Sequence, residues 1–159
     1  MTKVEKKIDG LGSGERREFE IVEFLVCGTA YGIDVAKVRE VIHMVPITKI
    51  PCTNVHMEGI FTLRGKLIPL VHLPRYLEKS ELSDGNIIVS EINGSQVGFL
   101  VNEVLRIHKV SSNDVEASPT VSNSSMVESL IKMVDRIVLL LDFEKIVNEI
   151  QPNFKEKVV

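Results

Sequence analysis

The sequence contains no tryptophan, only two tyrosines and six phenylalanines, and only two cysteines in 159 residues. Scarce aromatic rings and a net charge of −3 argue against a nucleic-acid-binding surface, which needs stacking platforms and basic side chains. Cys27 and Cys52 form neither a repeated metal-binding spacing nor a disulfide framework, which favours a reducing compartment. We expect Cys27, at the end of an apolar run, to be a small core residue and Cys52 to be the more exposed thiol.

Long apolar runs are missing as well. No stretch approaches the roughly 18 apolar residues that span a bilayer, and the N-terminus is polar rather than a charged and then apolar signal sequence. Hydrophobic residues still make up 44% of the chain, enough for one compact core or for two small lobes that share one. We therefore expect a soluble cytoplasmic protein that does not insert into membranes.

Catalytic patterns are also absent. The sequence has no phosphate-binding glycine loop and no serine in a nucleophile elbow. Its histidines are scattered, and no pair has a helical metal-ligand spacing supported by a carboxylate. They are His43, His56, His72 and His108. We expect no enzymatic activity, no cofactor and no metal.

Short apolar runs with turn signals between them predict a mainly β protein, built as barrels or as a sandwich. The first run, 21–26, returns at 31–33, and Asp34 is predicted to cap a helix over 35–42 because its apolar residues have helical spacing. The later predictions are a short helix from Pro74, strands 87–92 and 96–101 joined by Asn93-Gly94, a continuation over 105–110, a mobile loop over 111–125, a strand 137–141 and a helix capped by Asp142.

The stretch 59–73 is the most informative part of the sequence. It consists of two apolar runs around Arg64-Gly65-Lys66, which predicts a hairpin with Arg64 and Gly65 at its turn. An arginine at such a tip presents a planar fork of five donors to the carboxylates or carbonyls of a partner. The alternative is a hairpin arginine that is merely solvated.

Glycine, two apolar residues, a polar residue, Leu-Arg-Gly and a proline-containing apolar strand together resemble the signature of the CheW-like domain family of bacterial chemotaxis. Further motifs of that family follow in the same order over about 19–150. They are Val-Glu-Phe at 22–24, Tyr-Gly-Ile at 31–33, the segment 35–42, Ile-Thr-Lys-Ile-Pro at 47–51, Val-Gly-Phe-Leu-Val at 97–101 with Val104, and Leu-Leu-Leu-Asp-Phe-Glu-Lys-Ile at 139–146.

The resemblance implies a fold of two small five-stranded β-barrel lobes with short helices, packed around a shared apolar core. We expect the lobes at roughly 19–83 and 86–150, within a domain over 18–150, and with chain ends that cross between them. Residues 1–17 are predicted to be a flexible arm, and 151–159 a tail or linker.

The resemblance also implies a coupling module that links chemoreceptor signalling tips to the histidine kinase CheA at membrane-associated arrays, with other CheW-like domains as further partners. Matched positions implicate Arg64, Val38, Glu40, Val101 and Val104 in receptor binding. Gly59 is implicated in kinase binding. The alternatives are that the valines belong to the core, that Glu40 is a solvated carboxylate and that Gly59 only serves backbone geometry.

Two residues depart from the family pattern. Thr62 stands where asparagine often precedes Leu-Arg-Gly, and His72 stands where many members carry aspartate. Within the family, the sequence most resembles the N-terminal domain of CheV proteins, so we expect a CheV fragment without its receiver domain, or a free-standing relative. The competing function is that of a small β-barrel module which binds a ligand or a nucleic acid.

Overall fold

The computed structural model describes residues 17–51, 54–117 and 126–150. Predictions for the N-terminal arm, for Cys52, for residues 118–125 of the loop predicted over 111–125 and for the C-terminal tail lie outside these ranges. Within them the strands are β1 (Glu18–Val26), β2 (Thr29–Asp34), β3 (Val38–His43), β4 (Met57–Leu63), β5 (Lys66–His72), β6 (Asn86–Ile92), β7 (Ser95–Val101), β8 (Glu103–Ser111), β9 (Val115–Ala117), β10 (Val127–Lys132) and β11 (Ile137–Leu141). The α-helices of the described chain are α1 (Leu73–Glu78) and α2 (Phe143–Ile150), and neither has the length and apolarity to cross a membrane.

The strands form two sheets, which confirms the mainly β, two-lobed fold. The first lobe has the strand order β8-β1-β2-β11-β10-β9, and the second has the order β3-β6-β7-β5-β4. The first sheet thus has one strand more than the five predicted. It combines strands from both ends of the chain, whereas β3 to β7 form the second sheet, so the lobes do not coincide with the halves 19–83 and 86–150.

Three hairpins turn through two residues that both have positive φ. The pairs are Cys27-Gly28 (51° and 85°), Arg64-Gly65 (51° and 79°) and Asn93-Gly94 (53° and 81°). Such turns match the twist of the strands that they join, and the glycine at the second position adopts positive φ without steric cost. The prediction of Cys27 as a core residue is wrong: it is the first turn residue and is exposed.

The predicted helix over 35–42 is also wrong. Asp34 caps only a 3-10 turn, Val35–Lys37, by accepting a hydrogen bond from the amide of Ala36 at 2.9 Å. The chain then continues as β3, an edge strand in which partly buried and exposed residues alternate. Glu40 lies among the partly buried residues and Val41 is exposed, which gives the apolar residues of this segment a spacing like that of a helix. Its β-branched residues nevertheless favour a strand.

The described start of the loop predicted over 111–125 is regular instead, with a 3-10 turn at Ser112–Asp114 followed by β9. The sequence pattern does not predict β10 either. In β10 the buried positions include the polar residues Glu128 and Ser129, which hides the apolar alternation of a strand. The other hairpins, the helix beginning at Leu73 and the helix that follows Asp142 are confirmed.

The lobes share an apolar core to which both helices contribute. The ring of Phe143 on α2 lies 4.7 Å from that of Phe99 and 6.3 Å from that of Phe24, measured between centroids. Smaller apolar clusters fill each lobe separately. The two helices therefore position the lobes against each other, because each packs on the core between them.

Candidate functional site

Arg64 lies at the tip of the β4–β5 hairpin, as predicted. Its side chain is 70% exposed, and its guanidinium donates to the carboxylate of Glu40 on β3. This carboxylate raises the pKa of Arg64 above its ordinary value, chiefly through the hydrogen bond, so the side chain stays charged. Glu40 is therefore an ion-pair partner of Arg64 rather than only a solvated carboxylate.

The Arg64–Glu40 pair connects opposite edges of the second sheet, since β3 and β4 stand at the two ends of its strand order. A short bridge lies nearby: the amides and carbonyls of Thr48 and Ile60 exchange two hydrogen bonds of 2.8 Å. This bridge joins β4 to the segment that follows β3, while the ion pair joins the arginine turn to β3 itself.

Gly59 lies directly beside this bridge, with φ of 149°. A Cβ atom at this position would stand 2.3 Å from the carbonyl oxygen of Thr48. The close approach of the two backbones gives a structural reason for glycine here, as the backbone-geometry alternative requires. This structural reason does not test the prediction that Gly59 lies at a kinase-binding surface.

A depression of about 410 Å³ opens beside the arginine turn. It is lined by Arg39, Glu40, Leu63, Arg64, Lys66, Val89 and Gln96. Arg39 donates to Glu91 within this face. A second depression of about 400 Å³ shares Lys66 and Gln96 with the first and includes the side chain of Leu67, which is 70% exposed.

Sequence reasoning did not assign Arg39, Lys66, Leu67 or Gln96 to this surface. The available signal was the parity of β5, whose inward residues Ile68 and Leu70 place Leu67 on the opposite face. The mixture of exposed charge and exposed apolar surface is typical of protein–protein interfaces.

The three valines predicted for receptor binding belong to the core between the lobes or pack against it, and none of them lines the depression beside the arginine turn. Val101 is completely buried in the core between the lobes, so its side chain offers no surface to a partner. Val38 and Val104 are partly buried and pack against the same core from β3 and β8. The predicted residues therefore form two groups, a charged pair at a rim and an apolar set between the lobes.

A second charged group, which sequence reasoning missed, lies in the first lobe. Glu23 on β1 is completely buried, and Arg136 binds it in a bidentate manner, with Nε 2.7 Å from Oε2 and Nη2 2.5 Å from Oε1. His108 Nε2 lies 2.6 Å from Oε1. The hydrogen bond from Arg136 is the main cause that lowers the pKa of Glu23. A lone carboxylate within an apolar strand was the signal that could have indicated a buried ion pair.

The described ranges contain no group of three or more His, Cys, Asp or Glu side chains arranged to hold a metal ion. They contain paired charges and exposed apolar side chains on a two-lobed, mainly β frame. This combination is compatible with the class of domains that dock with other proteins.

Comparison with known proteins gives the family. Residues 20–151 match the CheW-like domain, and the chain belongs to that family. It is 34% identical to the chemotaxis protein CheV3 of Helicobacter pylori over 153 residues, which cover 86% of this chain and 49% of CheV3. It is also 34% identical to the chemotaxis protein CheW of Thermotoga maritima, over 84% of this chain and 91% of that protein.

A solved structure agrees with this assignment. The scaffolding protein TtCheW from Thermoanaerobacter tengcongensis has a TM-score of 0.73 and 33% identity, over 79% of this chain and 89% of that chain. The chain thus spans about half the length of CheV3 and most of the length of CheW proteins.

Proposed function

We propose that this chain is a non-enzymatic chemotaxis adaptor that links chemoreceptor signalling tips to the histidine kinase CheA and helps to control the activity of the kinase. The match to the CheW-like family over residues 20–151 carries the proposal. The likeness to a solved scaffolding CheW supports it. In this role the protein works in the cytoplasm at membrane-associated receptor arrays, where other CheW-like domains are further partners.

On the receptor side, the apolar stripe of a helical receptor tip lies between the lobes, against Val38 and Val104, while Val101 supports this surface from beneath. Arg64 then fixes the register of the tip through hydrogen bonds to carboxylates or carbonyls of the receptor. Its high exposure supports this role. Receptor groups compete with Glu40 for the guanidinium, because the ion pair lies in water and is weak.

On the kinase side, the regulatory domain of CheA docks at the β4 edge around Gly59. The segment that crosses Gly59 at Thr48 supplies exposed side chains there without disturbing the backbone bridge. The receptor and kinase surfaces therefore involve different residues, which allows both partners to bind one chain.

The coupling role is common to CheV and CheW proteins. The identity of 34% to each supports both forms of the adaptor equally. The CheV-fragment origin expected from the sequence stays a prediction.

Titration of the purified chain with a receptor signalling-tip fragment, and separately with the CheA regulatory domain, tests the proposal. We expect saturable binding to both. Arg64→Glu should weaken receptor binding at least tenfold and leave kinase binding unchanged. Lys132→Glu is the matched control, since Lys132 forms an exposed ion pair with Glu116 in the other lobe, and this variant should bind like the wild type.

A charge swap separates docking from structure. The double variant Glu40→Arg, Arg64→Glu restores an intramolecular ion pair with reversed polarity. If Arg64 contacts the receptor, the swap leaves receptor binding weak. Full recovery of binding in the swap would overturn the contact and assign Arg64 a purely structural role.

The kinase surface is tested by Thr48→Lys, which changes an exposed side chain and retains the backbone bridge. Kinase binding should fall while receptor binding persists, the reverse of the result for Arg64→Glu. Unchanged kinase binding in the folded variant would exclude the surface around Gly59.

A further inference from the structure

The two partly buried valines of the proposed receptor surface occupy matching places in the two lobes. Val38 is the first residue of β3, and Val104 is the second residue of β8. In each strand a β-bulge follows the valine, with Arg39 or Leu105 as the extra residue. A bulge bends its strand and re-aims the neighbouring side chains. One valine from each lobe thus packs, beside a bulge, against the core that the lobes share.

Both valines also lie where the chain passes from one lobe to the other. The chain leaves β2 through the 3-10 turn Val35–Lys37 and enters the second lobe at Val38. It returns from β7 to β8 through Asn102. The amide of Asn102 donates to the carbonyl of Leu25 at 3.1 Å, and its Oδ1 accepts from the amide of Cys27 at 2.9 Å. The separation of the two valines therefore depends on how the lobes are oriented.

Asn86 connects the second lobe directly to the valine of the first. It is the first residue of β6, and its backbone pairs with Val101 and His43 inside the second lobe. Its Oδ1 accepts a hydrogen bond of 2.9 Å from the amide of Val104. Apolar burial has no preferred direction, whereas a hydrogen bond requires a set distance and angle. Asn86 thus determines where Val104 stands relative to the second lobe.

Lys37 makes the reciprocal connection. It directly precedes Val38, and its Nζ lies 2.5 Å from Oε1 of Glu144 on α2, the helix that follows β11 of the first lobe. The side chain of Lys37 is only 11% exposed, so this ion pair is screened less than a pair that lies fully in water. Each valine is therefore held to the opposite lobe by one polar contact close to it in the chain.

We propose that Asn86 and Lys37 are positioning residues for receptor binding. Neither side chain contacts the receptor; together they keep Val38 and Val104 at the separation that the apolar stripe of a receptor helix needs. The inference rests on the proposed function and deepens it, because it makes receptor binding depend on the orientation of the lobes. Kinase binding around Gly59 uses the second lobe alone and does not depend on that orientation.

Titrations with the receptor signalling-tip fragment, and separately with the CheA regulatory domain, test the role of Asn86. Asn86→Ala removes the acceptor and should weaken receptor binding about fivefold, as expected for the loss of one hydrogen bond, while kinase binding stays unchanged. Asn86→Asp retains an acceptor oxygen and should bind the receptor like the wild type. In the free chain, hydrogen exchange of the Val104 amide should quicken in Asn86→Ala and not in Asn86→Asp.

The reciprocal contact supplies a second set of variants. Lys37→Met keeps the apolar stem and removes the charge, so it should weaken receptor binding without changing kinase binding, and Lys37→Arg should retain most of the affinity. Ser111→Ala is the matched control, because Ser111 accepts a hydrogen bond of 3.2 Å from the amide of Asn113 within the first lobe alone. This variant should bind both partners like the wild type.

Circular dichroism establishes that each variant is folded, and Lys37→Met decides the question if Asn86→Ala does not fold. Unchanged receptor binding in the folded variants would overturn the inference and leave the adaptor role standing. Equal losses of receptor and kinase binding would also overturn it, since they indicate general destabilisation. Failure of the wild type to bind the receptor fragment would instead overturn the proposed function, and the inference with it.

Discussion

The two lobes have the same frame and differ in where each one places its charge. In both, a hairpin is extended by a parallel strand, and that strand leads into a helix that packs between the lobes. In the second lobe the ion pair between Glu40 and Arg64 is at the rim. In the first lobe the carboxylate of Glu23 is completely buried, and Arg136, whose side chain is 36% exposed, binds it from the surface.

The difference in charge between the two lobes can be traced to one matching position in their strand pairing. Glu23 pairs with Gly32, and Gly32 pairs with Leu140 on the parallel strand. Val89 pairs with Gly98 in the same way in the second lobe. A carboxylate in one lobe thus replaces a valine in the other. An exposed pair is exchangeable, whereas a buried pair fixes its elements, so the second lobe has the arginine that is available to a partner.

The largest predicted effect is on the buried pair. Arg136→Ala leaves the carboxylate of Glu23 buried without its bidentate partner, and Tm should fall by about 10 °C. The double variant Glu23→Val, Arg136→Ala copies the apolar interior of the second lobe and should recover most of the loss. Thermal unfolding followed by circular dichroism measures both, and a double variant no more stable than Arg136→Ala would contradict this account.

The buried pair also predicts an acid limit. Because Arg136 lowers the pKa of Glu23 below its ordinary value of 4.5, the folded state binds fewer protons at this site than the unfolded chain. The stabilisation by Glu23 is therefore present above pH 4.5 and is lost as the pH falls further. Urea unfolding at a series of acidic pH values should show that the free energy of unfolding falls less in the double variant Glu23→Val, Arg136→Ala than in the wild type.

The matched glycines provide the next comparison. A Cβ on Gly98 would meet the ring of Phe61 at 2.9 Å, whereas one on Gly32 would meet the flexible end of Ile21 at 3.1 Å. Gly98→Ala should therefore cost about 1–3 kcal/mol, and Gly32→Ala should cost less. Equilibrium unfolding in urea measures the two costs, and equal values would mean that the two interiors adapt equally well.

A smaller effect concerns His56, which occupies the place of Met126 before the matching helix. Burial lowers the pKa of His56 from its ordinary value of 6.5, so the folded state resists its protonation. Its contribution to stability is present above pH 6.5 and is lost as the pH falls. His56→Met should flatten the stability profile in this range, and an unchanged profile would show that this group is not responsible.

The smallest effect is predicted for the exposed pair of the first lobe. Lys132 and Glu116 are both more than half exposed, so Lys132→Ala should leave Tm unchanged within error. A large loss would show that an exposed pair can hold a lobe together, which would remove the distinction between rim and interior.

The hairpins could be predicted from the sequence because their signals are local. An Arg-Gly or Asn-Gly pair between apolar runs determines the turn and its register. Strand β3 could not be predicted in this way, since the inward position of Glu40 depends on Arg64, which is 24 residues away. The exposure of Cys27 was missed because the turn begins one residue earlier than the apolar run suggests.

The site was predictable to a similar degree. The position of Arg64 at a tip follows from its own hairpin. The partner of Arg64 is Glu40, which is distant in the sequence. The bridge between Thr48 and Ile60 also joins distant segments, and no local pattern predicts either contact. The burial of Val101 likewise depends on the core between the lobes, which brings together residues from both ends of the chain.

The most direct test of the adaptor role is whether one chain binds both partners at once. The chain is mixed with the receptor-tip fragment and the CheA regulatory domain, and the mass of the complex is measured by light scattering after size-exclusion chromatography. We predict a complex that contains all three components and loses only the receptor fragment in Arg64→Glu. Binding of either partner that excludes the other, or binding of neither by the folded chain, would contradict the account.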